Sequence, residues 1–378
     1  MGLGVSRTLD RSRYFRDLVA AVPHRRDVAG DRPMAVATDI ETQKPPPCGG
    51  AGGASIAFGE LIGTVARDEF FARYWERRPL HVRRGDEGVY DSLLTRADLE
   101  RLIATGGVRY PGIQLTRDGR YIPPEAFTRN HPVGRDSLSG VPDLDRVAAL
   151  YGGGATISMP FLHLAWKPLA DFTAAIEAEF DHPAHANVYL TPGGCRGFTP
   201  HYDVHEVFVL QIAGHKRWKV HAPPAPLPHH SQPFSAQPQQ PTPLVMEVEL
   251  APGDLLYLPR GYIHSTATSR TSSLHVTLGV TVFTWVELLA EWFQTSKMYP
   301  RYRRALEPGF AHDPAIRQRL KDELPRIIAE LQGLADYDAI IDAFAGRVAS
   351  GAFRPTDRFA TEVTAEEPES SAAAPRLR

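Results

Sequence analysis

The chain has 378 residues, 43% hydrophobic and 23% charged, with a formal net charge of -2. That length can bury a substantial core, as one large domain or two ordinary ones, and the near-neutral charge gives no global field for nucleic acid or a membrane surface. Two cysteines, Cys48 and Cys195, are too few for a disulfide framework or a thiolate zinc site; no run has the apolar length of a membrane span, and the charged N-terminus lacks a signal peptide's apolar stretch, so the expectation is a cytoplasmic protein with no membrane partner and no direct nucleic-acid contact.

In chain order, residues 1–54 read as an extension and linker. The stretch KPPPCGGAGG at 44–53 can hold neither a helix nor a central strand, because proline lacks a donor and glycine is costly to order. A short amphipathic helix is expected earlier, around Tyr14, Phe15, Leu18 and Val19. From Phe58 the pattern turns globular. Phe70, Phe71, Tyr74 and Trp75 share helical spacing, and Arg77-Arg78-Pro79 stops that helix before a short strand at Leu80-His81-Val82. Thr95 is a candidate N-cap with Asp98 three residues on, and helices are expected over 143–151 and 168–180.

The middle of the chain changes character. Short β-rich runs at Asn187–Leu190, Val207–Leu210, Trp218–Val220, Leu255–Leu258 and Leu274–Thr277 are punctuated by TPGG, APGD and PRG turns. That pattern predicts a barrel or jelly roll rather than βαβ units, with 223–243 as an inserted proline-rich loop. Beyond Phe283, Trp285, Leu288, Leu289 and Trp292 form a helical stripe. Leu320, Leu324, Ile327, Ile328 and Leu331 form a second, and Ile340, Ile341 and Phe344 mark a third helix. The two tryptophans are expected against the barrel, with a second subunit as the alternative. The expected organisation is an extension at 1–54, a β domain at 55–283, a helical region at 284–360 and a disordered tail at 361–378.

The chemistry concentrates in Pro200-His201-Tyr202-Asp203 and in Tyr262-Ile263-His264. Side chains two apart in a strand point to one face, so His201 and Asp203 can present an imidazole and a carboxylate together. Two neutral imidazoles and one carboxylate on one face of a metal, with the opposite face open, are the ligand set of non-haem iron(II) oxygenases. His264 follows a strand and a tight turn that can return it across a barrel. By itself HxD is a short pattern in a histidine-rich region, and ordinary strand residues would account for it.

Residues 186–218, ANVYLTPGGCRGFTPHYDVHEVFVLQIAGHKRW, and 252–278, PGDLLYLPRGYIHSTATSRTSSLHVTL, closely resemble the two core motifs of the Jumonji-C/cupin-like ribosomal oxygenases. FFARYWERRPLHVRR at 70–84 and LLTRADLERL at 93–102 fit the region that precedes them, so the resemblance spans roughly 56–300. It implies a double-stranded β-helix (a jelly roll, or cupin, of the JmjC type) with flanking N-terminal helices and a C-terminal helical region. It also implies Fe(II) held by His201, Asp203 and His264, with 2-oxoglutarate as cosubstrate and O2 as oxidant. Lys216 matches the basic residue that pairs with the cosubstrate's distal carboxylate, a role suited to a buried point charge. Asn187 and Tyr189 match positions lining that pocket, and Thr277, with His275 on the same strand, is placed to donate a hydroxyl to the same carboxylate.

The implied reaction is hydroxylation of a peptidyl side chain, with histidine or arginine of a ribosomal protein as the family precedent, by a homodimer paired through its helical region. The family continues into a winged-helix domain for which no room is apparent here, which keeps a biosynthetic precursor peptide or another small substrate as an alternative. A cupin scaffold without catalysis and a zinc-dependent cupin isomerase are the readings from other classes. Arg196 and Arg260 are expected to flank the opening, Cys195 to face its mouth, Trp218 and Phe208 to be core, and His229-His230 to be solvated.

Overall fold

The apolar runs of the middle region form two facing sheets. The structure is a computed structural model that describes residues 42–43, 56–234 and 242–350. The expected helix near Tyr14, most of the extension, the tip of the 223–243 loop and the C-terminal tail lie outside the described residues.

In chain order the strands are β1 (Thr42–Gln43), β2 (Leu80–Val82), β3 (Gln114–Arg117), β4 (Arg120–Tyr121), β5 (Thr128–Val133), β6 (Asp136–Pro142), β7 (Thr156–Met159), β8 (Ala184–Thr191), β9 (Glu206–Ala213), β10 (Lys216–His221), β11 (Leu244–Leu250), β12 (Leu255–Leu258), β13 (Ile263–Thr268) and β14 (Ser273–Val280). The helices are α1 (Phe58–Leu61), α2 (Arg67–Arg73), α3 (Arg96–Ala104), α4 (Leu144–Gly152), α5 (Lys167–Phe180), α6 (Trp285–Thr295), α7 (Pro314–Gly333) and α8 (Tyr337–Ala349).

A nine-stranded sheet has the order β1-β2-β12-β9-β14-β8-β7-β3-β4, and a three-stranded sheet has the order β11-β10-β13. From β11 onward consecutive strands alternate between the two layers, since β12 and β14 pair with β9 in the large sheet while β11 and β13 pair with β10 in the small one. This is the double-stranded β-helix. The sequence pattern missed β1, which lies in the expected extension, as well as β3 to β7, β11 and β13. Several are short, and β5 and β11 leave most of their side chains exposed or half-buried, so they lack the continuous apolar signature of a doubly covered strand.

Both faces of the large sheet are covered, and alternation sorts the side chains. Phe208, Leu210, Leu255, Tyr257, Val276 and Leu278 face the helix-covered layer, where Phe58, Phe70 and Phe180 meet them. Edge-on ring contacts join α1 to α5 at 4.7 Å through Phe58–Phe180 and α2 to the sheet at 5.0 Å through Phe70–Tyr257. Burying one such phenylalanine is worth about 1.5–3 kcal/mol. Val207, Val209, Leu256 and Leu258 face the other way and close on Trp218, Val220, Met246 and Leu250 of the small sheet. Toward β8 and β14 this inner layer changes from apolar to polar, and a pocket opens there.

Two turns fix the entrance and the corner of the β-helix. The Thr95 hydroxyl accepts from the Asp98 backbone while Asp98 accepts from Thr95, the expected capping box of α3. Gly214 turns β9 into β10 with φ of +65°, and a Cβ there would lie 1.8 Å from the Ser272 carbonyl oxygen. Only glycine meets both conditions, and the turn sets Lys216 as the first residue of the small sheet.

The three C-terminal helices form where the stripes indicated them, but less of their apolar surface is covered than expected. Trp285 is 76% exposed rather than packed on the barrel, and Val286, Leu289, Leu324, Ile328 and Ile341 are exposed as well. Among the described residues no helix is long and apolar enough to cross a membrane.

Candidate metal centre and its pocket

His201 and Asp203 lie outside any full strand. The segment before β9 touches β13 through isolated bridges, one of them joining His201 to His264. The His264 amide donates to the His201 carbonyl at 2.8 Å, and the reverse bond is 3.2 Å. Asp203 is fixed by its own backbone, whose carbonyl accepts from the Gly261 amide at 2.9 Å. The i, i+2 reading therefore reached the right pair, although the ladder that holds it is only a bridge.

The three side chains converge. Nε2 of His264 is 3.6 Å from Asp203 Oδ2, Nε2 of His201 is 4.0 Å from Oδ1, and the ring centroids are 4.5 Å apart. All three ligand atoms lie within 4.8 Å of one another. Nδ1 of His201 faces the Thr199 carbonyl at 2.8 Å and Nδ1 of His264 faces the Tyr262 carbonyl at 3.1 Å. A carbonyl only accepts, so each neutral ring carries its proton on Nδ1 and turns an Nε2 lone pair toward the carboxylate. Burial, reinforced by His201, pulls His264 down to about 4. For Asp203, burial pushes the carboxyl up, but His205, His201, His264 and His185 outweigh it and hold the group at about 2. Near neutral pH the cluster is thus a carboxylate with at least one uncharged imidazole, a donor set that fits a divalent transition metal.

An open pocket adjoins this cluster, lined among others by Asn187, Tyr189, Phe198, Lys216, His275 and Thr277. Lys216 is 3% exposed, and its Nζ donates to Thr191 Oγ1 at 3.3 Å, which in turn contacts Thr156 Oγ1 at 3.2 Å. It forms no ion pair among the described residues, and burial alone lowers its ammonium to about 7. A buried lysine that meets a hydroxyl and no carboxylate is suited to pair with an anionic ligand.

The expected lining residues are therefore together, with adjustments. Asn187 lines the pocket but spends its carbonyl oxygen on the Phe161 amide at 2.9 Å, holding Phe161 in the left-handed region at φ of +52°. Thr277 sits opposite Asn187 across the β14–β8 ladder, but the hydroxyl beside Lys216 belongs to Thr191. His275 stacks on Tyr189 with centroids 5.1 Å apart, and burial holds it neutral far below its usual range. Trp218 is core as expected and also walls the pocket, 5.8 Å from the His264 ring. Phe208 belongs to the helix-covered core.

Three expectations fail. Arg260 does not flank the opening: it is 5% exposed and ion-paired to Glu76 and to Glu206, the latter at 2.9 Å, in a buried network with Tyr257. Arg196 is exposed. Cys195 is half-buried and outside the pocket lining, its amide donating to Thr268. His229 and His230 are not simply solvated, because both approach the Glu287 carboxylate. Two further residues, His205 in the pocket lining and Thr191 behind Lys216, were missed. Each continues a two-residue step already noticed, Asn187-Tyr189-Thr191 and His201-Asp203-His205.

Comparison with known proteins bears on these residues. Residues 163–288 match the JmjC domain. Over 292 residues the chain is 34% identical to Ribosomal oxygenase 1 of Gallus gallus, covering 76% of this chain and 45% of that protein. It is 29% identical over 329 residues to the bifunctional lysine-specific demethylase and histidyl-hydroxylase NO66 of Aedes aegypti, covering 79% and 48%. The chain thus spans about half the length of these relatives. Among solved structures, the ribosomal oxygenase YcfD of Escherichia coli is 18% identical with a TM-score of 0.43, covering 70% of this chain and 67% of that one.

Proposed function

The chain carries a JmjC domain and is related in sequence to ribosomal oxygenases, and from that premise we propose that it is an Fe(II)- and 2-oxoglutarate-dependent oxygenase that hydroxylates a peptidyl side chain. The observation that carries the reading is the convergence of His201, Asp203 and His264 beside a buried Lys216 that has no ion-pair partner among the described residues. A zinc isomerase or an inert scaffold gives no reason to bury that ammonium next to a metal-ready cluster.

In this reading Nε2 of His201, Nε2 of His264 and a carboxylate oxygen of Asp203 hold the iron. Bound iron with 2-oxoglutarate and O2 supplies the oxidising power to insert one oxygen atom into an unactivated C–H bond. The protein's part is to orient and exclude. The Thr199 and Tyr262 carbonyls lock both ligand rings in the tautomer that offers Nε2. Lys216, with Thr191 beside it, receives the distal carboxylate of 2-oxoglutarate, and Asn187, Tyr189 and Thr277 line the same pocket. Trp218 and His275 shield that end from water, where a charge-assisted bond is strongest. The side chains of His201 and Asp203 are 32% and 29% exposed against 8% for His264, so the cluster is approached from the His201 side.

By relation to the named proteins, the substrate is a protein side chain, with a ribosomal protein's histidine or arginine first and a precursor peptide second. The exposed apolar face of α6, α7 and α8 serves a homodimer, and the protein works in the cytoplasm. The test is succinate release that requires Fe(II) and a peptide substrate, with a 16 Da gain in that peptide and loss of both in Asp203→Ala. Peptides compared from cells with and without the protein identify the substrate. Absence of succinate formation under any peptide, with metal bound, would leave the scaffold reading standing.

A further inference from the structure

We propose that His229, His230 and Glu287 form a second site for a divalent transition-metal ion, which staples the proline-rich loop to the start of α6. It goes beyond the oxygenase reading, and none of its residues lines the pocket.

Neighbouring side chains on extended backbone point in opposite directions. Here two successive histidines turn to one carboxylate oxygen, with ring centroids 3.8 Å apart. Nε2 of His229 is 2.8 Å from Glu287 Oε1, and Nδ1 of His230 is 3.5 Å from the same atom. Ligand atoms of a tetrahedral site with metal bonds near 2.0–2.1 Å lie about 3.3 Å apart, so these separations bracket those of an occupied site.

Each ligand is held from behind. Glu287 Oε2 accepts from the Thr284 amide at 2.7 Å and its hydroxyl at 2.6 Å, in the capping box of α6, which leaves Oε1 for the histidines. These bonds and the one to His229 outweigh partial burial and hold the Glu287 carboxyl at about 2. The Ser231 amide donates to His229 Nδ1 at 3.3 Å with Ser231 Oγ 2.8 Å away, so without an ion the ring proton sits on Nε2 toward Glu287, and a bound ion takes its place there. The turn is closed by the Gln232 amide, donating to the His229 carbonyl at 2.7 Å. His229 and Glu287 side chains are 22% and 16% exposed and His230 is 41% exposed, which gives an ion a route in and room for water as a further ligand. Two imidazoles and one carboxylate select Zn(II), Co(II) or Ni(II) over Ca(II) or Mg(II).

The staple bears on the first cluster. The same loop accepts a hydrogen bond from Tyr202, between His201 and Asp203, at the Gln232 carbonyl, 3.2 Å away. Phe234 lies edge-on to the Tyr202 ring at 5.2 Å. Pro228 packs so closely on Gly261 that a Cβ there would lie 2.7 Å from it, and the Gly261 amide holds Asp203. An ion at Glu287 therefore steadies the loop that covers both metal-bearing segments.

The test uses the full chain carrying His201→Ala and Asp203→Ala, so that the pocket cluster is removed. Titration with Co(II), followed by visible absorption and by elemental analysis after gel filtration, should give about one retained equivalent. Adding His230→Gln should abolish it, while wild type retains one equivalent more than the double variant. A double variant that retains no Co(II), or whose binding is unchanged by His230→Gln, would overturn the proposal: the cluster would then be hydrogen-bonded only. If the His230→Gln protein does not fold, Glu287→Gln in the same background, which keeps an acceptor for Thr284, takes its place.

Discussion

Lys216 allows the pocket to be tested by counting protons. Burial with no carboxylate partner lowers its ammonium to about 7, so near pH 8 roughly nine-tenths of the unliganded protein carries a neutral amine. A bound dicarboxylate favours the ammonium and raises that value again. Binding of 2-oxoglutarate at pH 8 should then take up about 0.9 proton, falling to about 0.1 at pH 6, and affinity should drop about tenfold per pH unit above 7. His264, at about 4, and Asp203, at about 2, do not titrate in that window. Calorimetry of 2-oxoglutarate binding to the Mn(II)-loaded protein under argon, in two buffers of different ionisation enthalpy, measures the uptake directly. Lys216→Met should abolish it and weaken binding by about 2 kcal/mol or more, roughly thirtyfold. Uptake near zero at pH 8 in the wild type, or unchanged affinity in Lys216→Met, would refute the assignment of this pocket to the cosubstrate.

Other perturbations reach the remaining parts. Asp203→Ala should abolish Fe(II)-dependent succinate formation while leaving the thermal unfolding midpoint of the metal-free protein within a few degrees, as read by calorimetry. Gly214→Ala should destabilise the protein by about 3 kcal/mol or more, since it combines a positive φ with a 1.8 Å approach to the Ser272 carbonyl, and a urea midpoint measures that. Trp285→Glu, at a position 76% exposed, should leave the fold intact and convert a dimer at micromolar concentration into a monomer by light scattering. A wild-type protein already monomeric there would remove the dimer.

What was legible in the sequence follows the strength of the local signal. β9, β12 and β14 are nearly or wholly buried along their length, so they read as apolar runs with turn residues at their ends. The Thr95–Asp98 box marked α3 because capping acts within four residues. The β5–β6 hairpin gave no such mark, because its exposed positions follow no regular alternation, whereas β11 does alternate over Met246-Glu247-Val248-Glu249-Leu250 and was overlooked beside the proline-rich loop. At the site, the two-residue step was enough to pair His201 with Asp203, but nothing local ties either to His264. That contact is a backbone bridge across 63 residues, and it was reached through resemblance.

Arg260 and the His229-His230 pair show why charged residues in turns resist this kind of reading. An arginine after a Leu-Pro turn looks like a rim residue, yet its partners Glu76 and Glu206 come from a left-handed residue after α2 and from the first position of β9. Only the closed β-helix brings those groups together, and a carboxylate that buried is tolerable only with such a partner. Glu206 accordingly sits at about 7, pushed up by burial and held back by Tyr257 and Arg260. Lys216 is the converse case at the same depth, an ionisable group the fold buries and leaves without an opposite charge among the described residues. The fold supplies Glu206 with its cation; in the proposed reading the anion that pairs with Lys216 arrives as a ligand.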